Sequence, residues 1–167
     1  MTGTTIRNAM LADLPQITDI YNHYVINTPI TFDLQPFTPE QRRDWFVEHS
    51  GTQRFQTVVA EQDGKVLGYA GTGSFRAKQA YETTVEMTIY CSPENQSRGI
   101  GSLLYAQLFE QLKSQDIHRA CAGITLPNDA SIALHRKFGF KEVGVFSENG
   151  RKLGRYWDVL WMERLMP

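Results

Sequence analysis

Cysteine is scarce in this chain. Cys91 and Cys121 are its whole complement, too few for a disulfide framework, and their spacing fits no zinc-binding pattern. They read as two small buried thiols in a reducing compartment. Long apolar runs are missing as well. None approaches the roughly 18 residues a membrane-spanning helix needs, and "MTGTTIRNAM" has no basic stretch ahead of an apolar core, so no signal peptide is expected. Charge of one sign is not in excess. The formal net charge is −1 and the pI about 6.4, which gives no electrostatic footprint for nucleic acid. Internal repeats, low-complexity tracts and linker-like stretches are absent. These absences point to a single cytoplasmic domain over residues 1–167 that has no membrane or nucleic-acid partner.

Alternating elements fill the chain. "TTIRNA" reads as a strand. Leu14, Ile17, Ile20, Tyr21, Tyr24 and Val25 follow at helical spacing, with Asp13 as the expected N-cap and Pro15 in the first turn. "TPEQRRDWFVEHS" predicts a second helix, capped by Thr38 with Pro39 at its first position. Asp63-Gly64 between two apolar runs signals a hairpin. In "TTVEMTIYC" Val85, Met87, Ile89 and Cys91 fall on one face of a strand, and Thr84, Glu86, Thr88 and Tyr90 on the other. A helix holding Leu103, Leu104, Leu108 and Leu112 comes next, then the strand "RACAGITL". A short helix stopped by Gly139 leads to closing strands in "KEVGVFSE" and "YWDVLWMERL". The order β-α-α-β-β-β-α-β-α-β-β implies an α/β (α+β) fold: a mixed sheet with helices on its faces.

Two glycines, Gly99 and Gly101, stand where a helix is about to begin. A strand, a glycine turn and a helix start form an anion site, because the first helical N–H groups lack intrahelical partners and the helix dipole favours negative charge there. Neither of two common nucleotide motifs fits. Gly101-Ser102 lacks the P-loop lysine, and Leu104 stands where a Rossmann fingerprint needs its third glycine.

A different pattern does fit. "QSRGIG", from Gln96 through Ser97, Arg98, Gly99 and Ile100 to Gly101, resembles the pyrophosphate loop of the GNAT N-acetyltransferases, and "NDASIALHRKFGF" resembles that superfamily's Asn-x-x-Ala to Gly-Phe segment. With "NHY", "FRAKQAY", "VEMTIYCS", "GIGSLLY", "LPNDASIALH" and "GRKLGRYWDV", the chain resembles the subgroup of phosphinothricin and methionine sulfoximine (methionine sulfone) acetyltransferases. The resemblance implies the GNAT fold, mostly antiparallel, with acetyl-CoA as co-substrate, no metal, and a homodimer. The implied reaction is direct acetylation of the α-amine of a small anionic amino acid analogue.

The same resemblance assigns roles to residues. Glu86 is the implied base for the substrate amine. His135 has a catalytic role that leaves open acid, base or a group that positions CoA. The backbone of Ile89, Tyr90 and Cys91 pairs with the pantetheine arm and supplies an oxyanion donor. Gln96 to Ser102, Asn128 and Lys137 hold the rest of CoA. Phe32, Met87, Thr88 and the aromatic pair Tyr156-Trp157 shape the substrate pocket, while Arg76, Lys78 and Tyr81 form a clamp for anionic groups. The subgroup's usual order there is lysine then arginine; here it is reversed. Arg151, Lys152 and Arg155 either approach a partner's site or face water. Two alternatives stay open: another amine as acceptor, such as an ordinary amino acid, a polyamine or a protein N-terminus, and a non-catalytic domain that senses acyl-CoA.

Overall fold

The computed structural model describes residues 3–51, 53–95 and 99–166. Its elements run β1 (Thr5–Asn8), α1 (Leu14–Asn27), α2 (Arg43–His49), β2 (Thr57–Gln62), β3 (Lys65–Ser74), β4 (Thr84–Cys91), α3 (Ile100–Leu112), β5 (Arg119–Thr125), α4 (Asp129–Lys137), β6 (Lys141–Lys152) and β7 (Arg155–Leu165). This is the order the alternation of apolar periods predicts. The described strands form one sheet, β1-β2-β3-β4-β5-β7-β6. Neighbours pair antiparallel except β4 and β5, which are parallel.

Two apolar layers sandwich the sheet. Leu14, Ile17, Ile20 and Tyr24 of α1 pack with Phe46 of α2 on Val59, Val66 and Tyr69. On the opposite face Leu104, Leu108 and Leu112 of α3 cover Val58, Ala60, Val85 and Met87. A bulge keeps both faces apolar. Ala60 pairs with Gly68 but Glu61 with Val66, so Leu67 is the extra residue and the alternation changes phase there. Asp63 and Gly64, at φ 53° and 76°, close the β2–β3 hairpin in the backbone conformation a two-residue turn requires.

Local expectations change in four places. Asp13 does not cap α1. Its carboxylate turns back to accept the Met10 N–H at 2.7 Å and pairs with Arg7 at 2.7 Å, which holds Asp13 below the usual carboxylate range against its burial. Helix α2 starts at Arg43, not Pro39. Thr38 and Gln41 instead hold a turn, through Gln41 Oε1 accepting the Thr38 N–H at 2.8 Å. Leu103 lies outside the core at 47% exposure, since α3 turns Leu104 and Leu108 inward. The strand begun by "KEVGVFSE" continues to Lys152, where Leu153 and Gly154 at φ 52° and 78° turn the chain into β7.

Candidate active site

The one parallel pairing opens the sheet. Strands β4 and β5 are joined at Thr84↔Arg119, Val85↔Ala120 and Glu86↔Cys121 and no further. Beyond Glu86, β4 follows β3 to Cys91 while β5 follows β7 to Thr125. The fork holds a cavity of 680 Å³ whose walls include Met87 to Cys91, Ala122 to Thr125, the start of α3 and the inner side of α4. The Ser92 N–H donates to Leu67 O at 2.8 Å. The two-residue alternation of an antiparallel ladder then gives the Tyr90 backbone to β3 and turns the backbone groups of Met87, Ile89 and Cys91 toward the fork. Of the three backbones proposed for the pantetheine arm, Ile89 and Cys91 have groups directed into the cavity. The Tyr24 O–H already donates to Cys91 O at 2.5 Å.

At one end of the fork lies the α3 N-terminus. Gly99 precedes the helix at φ 77°, a left-handed conformation that glycine takes without strain. The first helical bonds run from the Ser102 and Leu103 N–H groups to Gly99 O at 3.0 and 3.2 Å, so the earlier donors of Ile100 and Gly101 precede them. Gly99, Ile100, Gly101 and Ser102 all border the cavity. Lys137 Nζ donates to Ser102 Oγ at 2.9 Å and sets a cation beside that helix start. Gln96, Ser97 and Arg98 lie outside the described residues. Bare amides, a helix dipole and a lysine at one end of an edge-lined channel fit a pyrophosphate followed by an amide-bearing arm.

The two glycines are needed for different reasons. A Cβ on Gly99 would meet nothing within 4 Å, so only its φ is demanding. A Cβ on Gly101 would lie 3.1 Å from Leu134 Cδ2 and 3.3 Å from Ile89 Cδ1. Gly101 therefore lets α3 close onto α4 and β4. Gly101→Ala is expected to cost about 1–3 kcal/mol of stability by overpacking, and to weaken acetyl-CoA binding by shifting Leu134. Gly99→Ala is expected to cost about 1–2 kcal/mol through its backbone alone. Urea unfolding with an acetyl-CoA titration checks both; unchanged stability in Gly101→Ala would mean Leu134 yields freely.

Glu86 stands at the apex of the fork. It is half-buried, borders the cavity, and its carboxylate makes no hydrogen bond with any described residue. Burial pushes its pKa up, and the nearby Arg76 cation pulls partly in the other direction. A carboxylate so placed is able to accept a proton from a cationic amine.

His135 is 2% exposed and borders the same cavity. Its Nδ1 lies 2.8 Å from Ser131 O, which only accepts, so Nδ1 carries the hydrogen. The Tyr105 O–H then donates to Nε2 at 2.8 Å. Burial lowers the His135 pKa, partly opposed by the bond to Ser131, and burial drives the Tyr105 phenol far up. Asn128 borders the cavity and caps α4, with Oδ1 accepting the Ser131 N–H at 3.2 Å.

Tyr24, Thr31, Phe32, Asn149 and Trp161 also line the cavity. Phe32 lies so close over Gly150 that a Cβ there would fall 2.4 Å from its ring. Met87 and Thr88 border the cavity, Met87 buried and Thr88 open. Arg76 is exposed and does not line this cavity, but its guanidinium lies 4.4 Å from the Phe75 ring centre and 5.8 Å from that of Trp161, which does. Lys78 and Tyr81 lie in a separate hollow with Arg54 and Phe55, which Arg76 also borders. Tyr156 and Trp157 do not border the main cavity; they sit on the β6–β7 hairpin, with Trp157 Nε1 donating to Lys152 O at 2.9 Å. Lys152 neither faces water nor projects outward. It is 4% exposed, and its ammonium donates to Thr31 O at 2.6 Å and Tyr24 O at 3.3 Å, pinning the hairpin over the end of α1. Arg151 and Arg155 are exposed, Arg155 over the Trp157 ring at 3.7 Å. Sequence reasoning missed Tyr105, Tyr24, Arg42 and Trp161, whose Nε1 is buried without an acceptor among the described residues. Among the described residues no three His, Cys, Asp or Glu side chains converge as a metal-binding group, and no helix is long and apolar enough to cross a membrane.

Comparison with known proteins adds three findings. Residues 6–161 match the acetyltransferase (GNAT) domain. The chain is 52% identical to a phosphinothricin N-acetyltransferase of Streptomyces coelicolor, over 98% of this chain and 99% of that one, and 36% identical to an L-methionine sulfoximine/L-methionine sulfone acetyltransferase of Pseudomonas aeruginosa, over 96% and 94%. Among solved structures, a putative acetyltransferase of Salmonella typhimurium with its cofactor acetyl-CoA superposes at a TM-score of 0.93, with 32% identity over 98% of this chain and 94% of that one. A phosphinothricin acetyltransferase of Sinorhizobium meliloti in complex with acetyl-CoA gives 0.92, with 36% identity over 99% and 89%.

Proposed function

The chain belongs to the GNAT acetyltransferase family and is an acetyl-CoA-dependent acetyltransferase, and from that premise we propose that its acceptor is the α-amine of a small anionic amino acid analogue, acetylated directly within one domain. The observation that carries this reading is Glu86, half-buried, without a hydrogen-bond partner among the described residues, at the fork that leads to the α3 N-terminus. Acetyl-CoA supplies the acetyl group as a thioester: the amine nitrogen bonds to the acetyl carbon, the C–S bond breaks, and CoA leaves as the thiol with the amine's second proton. Ile100, Gly101, Ser102 and Lys137 would hold its phosphates, and the fork-facing backbone of Ile89 and Cys91, where Cys91 O already accepts from Tyr24, its pantetheine arm. Glu86 takes the proton from the substrate ammonium, and Arg76, whose charge reaches Glu86, attracts the substrate carboxylate. His135, neutral and held at both nitrogens, sets the wall between α3 and α4.

The acceptor class is supported by the relatives named for phosphinothricin, methionine sulfoximine and methionine sulfone, and by a cavity that Phe32 and Trp161 border beside Glu86. We assign the protein to the cytoplasm, where two free thiols are stable, and to detoxification of such analogues, including herbicides. We also propose a homodimer. Strand β6 ends the sheet and exposes Val143, Val145 and Phe146 at 62%, 47% and 51%, an apolar edge that pairing would cover.

Thiol release from acetyl-CoA tests the acceptor. The panel is phosphinothricin, methionine sulfoximine, methionine sulfone, glutamate, methionine and spermidine. Saturable release with the tetrahedral analogues and little with spermidine is the expected outcome. Release with spermidine alone, or with none of the panel despite CoA binding, would overturn it.

A further inference from the structure

A second cavity, of 230 Å³, lies on the α1/α2 face and shares Thr88 and Tyr90 with the first. Arg42 forms part of its wall at 6% exposure. Its guanidinium is sandwiched by aromatic faces, 4.3 Å from the Tyr21 ring centre and 4.1 Å from that of Trp45. Those faces attract a cation but leave its in-plane N–H groups unused. The guanidinium makes no ion pair with a described carboxylate, and Nη1 is fully buried without a partner within hydrogen-bond distance. The buried Tyr69 hydroxyl beside it also lacks one. Burial raises the Tyr69 pKa, and the Arg42 charge and a side-chain hydrogen-bonding contact with Arg42 oppose that rise, so the phenol and the guanidinium face each other at the margin of a bond. Asp33, the carboxylate on this wall, accepts from the Tyr21 O–H at 2.5 Å rather than from Arg42. A buried cation is seldom left without an acceptor. An oxyanion with two oxygens fits the guanidinium fork, and a phenol hydroxyl completes its coordination.

The position relates this cavity to the reaction. Glu86, Thr88 and Tyr90 share one face of β4, and the strand rise places Thr88 roughly 7 Å and Tyr90 roughly 13 Å from Glu86. An amino acid whose amine meets Glu86 extends its side chain along that face toward Arg42, with its α-carboxylate left to Arg76. We infer that Arg42 and Tyr69 receive the side-chain oxyanion of the acceptor, which makes Arg42 a specificity-determining residue favouring phosphinate- or carboxylate-tipped side chains over neutral sulfones. This rests on the acceptor reading above.

The test compares phosphinothricin with methionine sulfone in the wild-type protein and in Arg42→Lys, Arg42→Met and Tyr69→Phe. The selectivity ratio, kcat/KM for phosphinothricin over that for methionine sulfone, is expected to fall about ten-fold or more in each variant, chiefly through KM. Tyr69→Phe removes one oxygen and carries the test if an Arg42 variant does not fold. A ratio unchanged in a folded variant, or equal losses for both acceptors, would overturn the receptor. Calorimetric titration of the same two compounds into the CoA-bound protein separates the two readings. Binding that prefers phosphinothricin in wild type and loses that preference in Tyr69→Phe, without turnover, would sink the acceptor reading and keep the receptor. Turnover of both compounds with no preference at either level would do the reverse.

Discussion

Glu86→Gln is expected to lower kcat by roughly 10²–10⁴-fold while acetyl-CoA affinity stays near the wild-type value. The substitution keeps the shape of the side chain at the apex of the fork and removes its ability to take a proton. Acetyl-CoA affinity is spared because its proposed holding residues lie on α3, α4 and the fork-facing edge of β4. The pH profile gives a second reading. Burial raises the Glu86 pKa above its ordinary 4.5, so the wild-type kcat/KM is expected to fall as pH drops through that raised pKa, and the glutamine variant lacks this limb. Arg76 opposes the rise, so Arg76→Met moves the limb to higher pH. The stability sign runs opposite to the activity. A carboxyl with a raised folded pKa stabilises while protonated, and that contribution is lost as pH rises from the unfolded value through the folded one. Glu86→Gln is therefore expected to be at least as stable as wild type at neutral pH, the trade of a site that stores an unpaired charge. Steady-state thiol release, CoA titration and thermal melts measure all three. Lost CoA binding with turnover per bound CoA intact would refute the assignment.

What the sequence made legible was local. The period of two in "TTVEMTIYC" sorted Glu86 and Thr88 from Val85 and Met87, and the structure places the first pair on the α1/α2 face and the second in the α3 layer. Asp63-Gly64 gave its turn for the same reason, since both residues act through their own backbone. The rest depended on contacts between distant residues. The fork exists because β4 and β5 share only three pairs, and no pattern within either strand encodes where their pairing stops. Lys152 reads as part of a basic run that either approaches a partner's site or faces water, yet its partners Thr31 and Tyr24 lie 121 and 128 residues away in the chain. Arg42 reads as one of two arginines in a helical stretch, and only the packing of α1 and α2 on Tyr69 turns it inward. Leu103 shows the reverse error, an apolar residue at a helical position that the sheet does not reach.

His135→Ala is expected to lower the unfolding free energy by about 2–4 kcal/mol. The ring is buried edge-on to Tyr105 and Phe140 at 5.3 and 5.0 Å between centroids, and it joins α3 to α4 through Tyr105 O–H to Nε2. Tyr105→Phe removes that donor and leaves Nε2 buried without one, at about 1–3 kcal/mol. In the double variant, which has no imidazole to leave unsatisfied, the two costs should fall short of additive by about 1 kcal/mol. Protonation of His135 supplies an independent signature. Burial holds its folded pKa below the ordinary 6.5. Above pH 6.5 both folded and unfolded states are neutral. As pH falls below 6.5 the unfolded chain takes up a proton that the folded protein refuses, so stability declines down to the folded pKa. Urea denaturation between pH 5 and 8 should show that slope in wild type and a shallower one in His135→Ala. A slope that survives the substitution would assign the lost proton to another group. Full additivity in the cycle would show that Tyr105 and His135 act apart. Both results together would remove His135 from the wall of the cavity as a positioning group and return it to the choice between acid and base that the sequence leaves open.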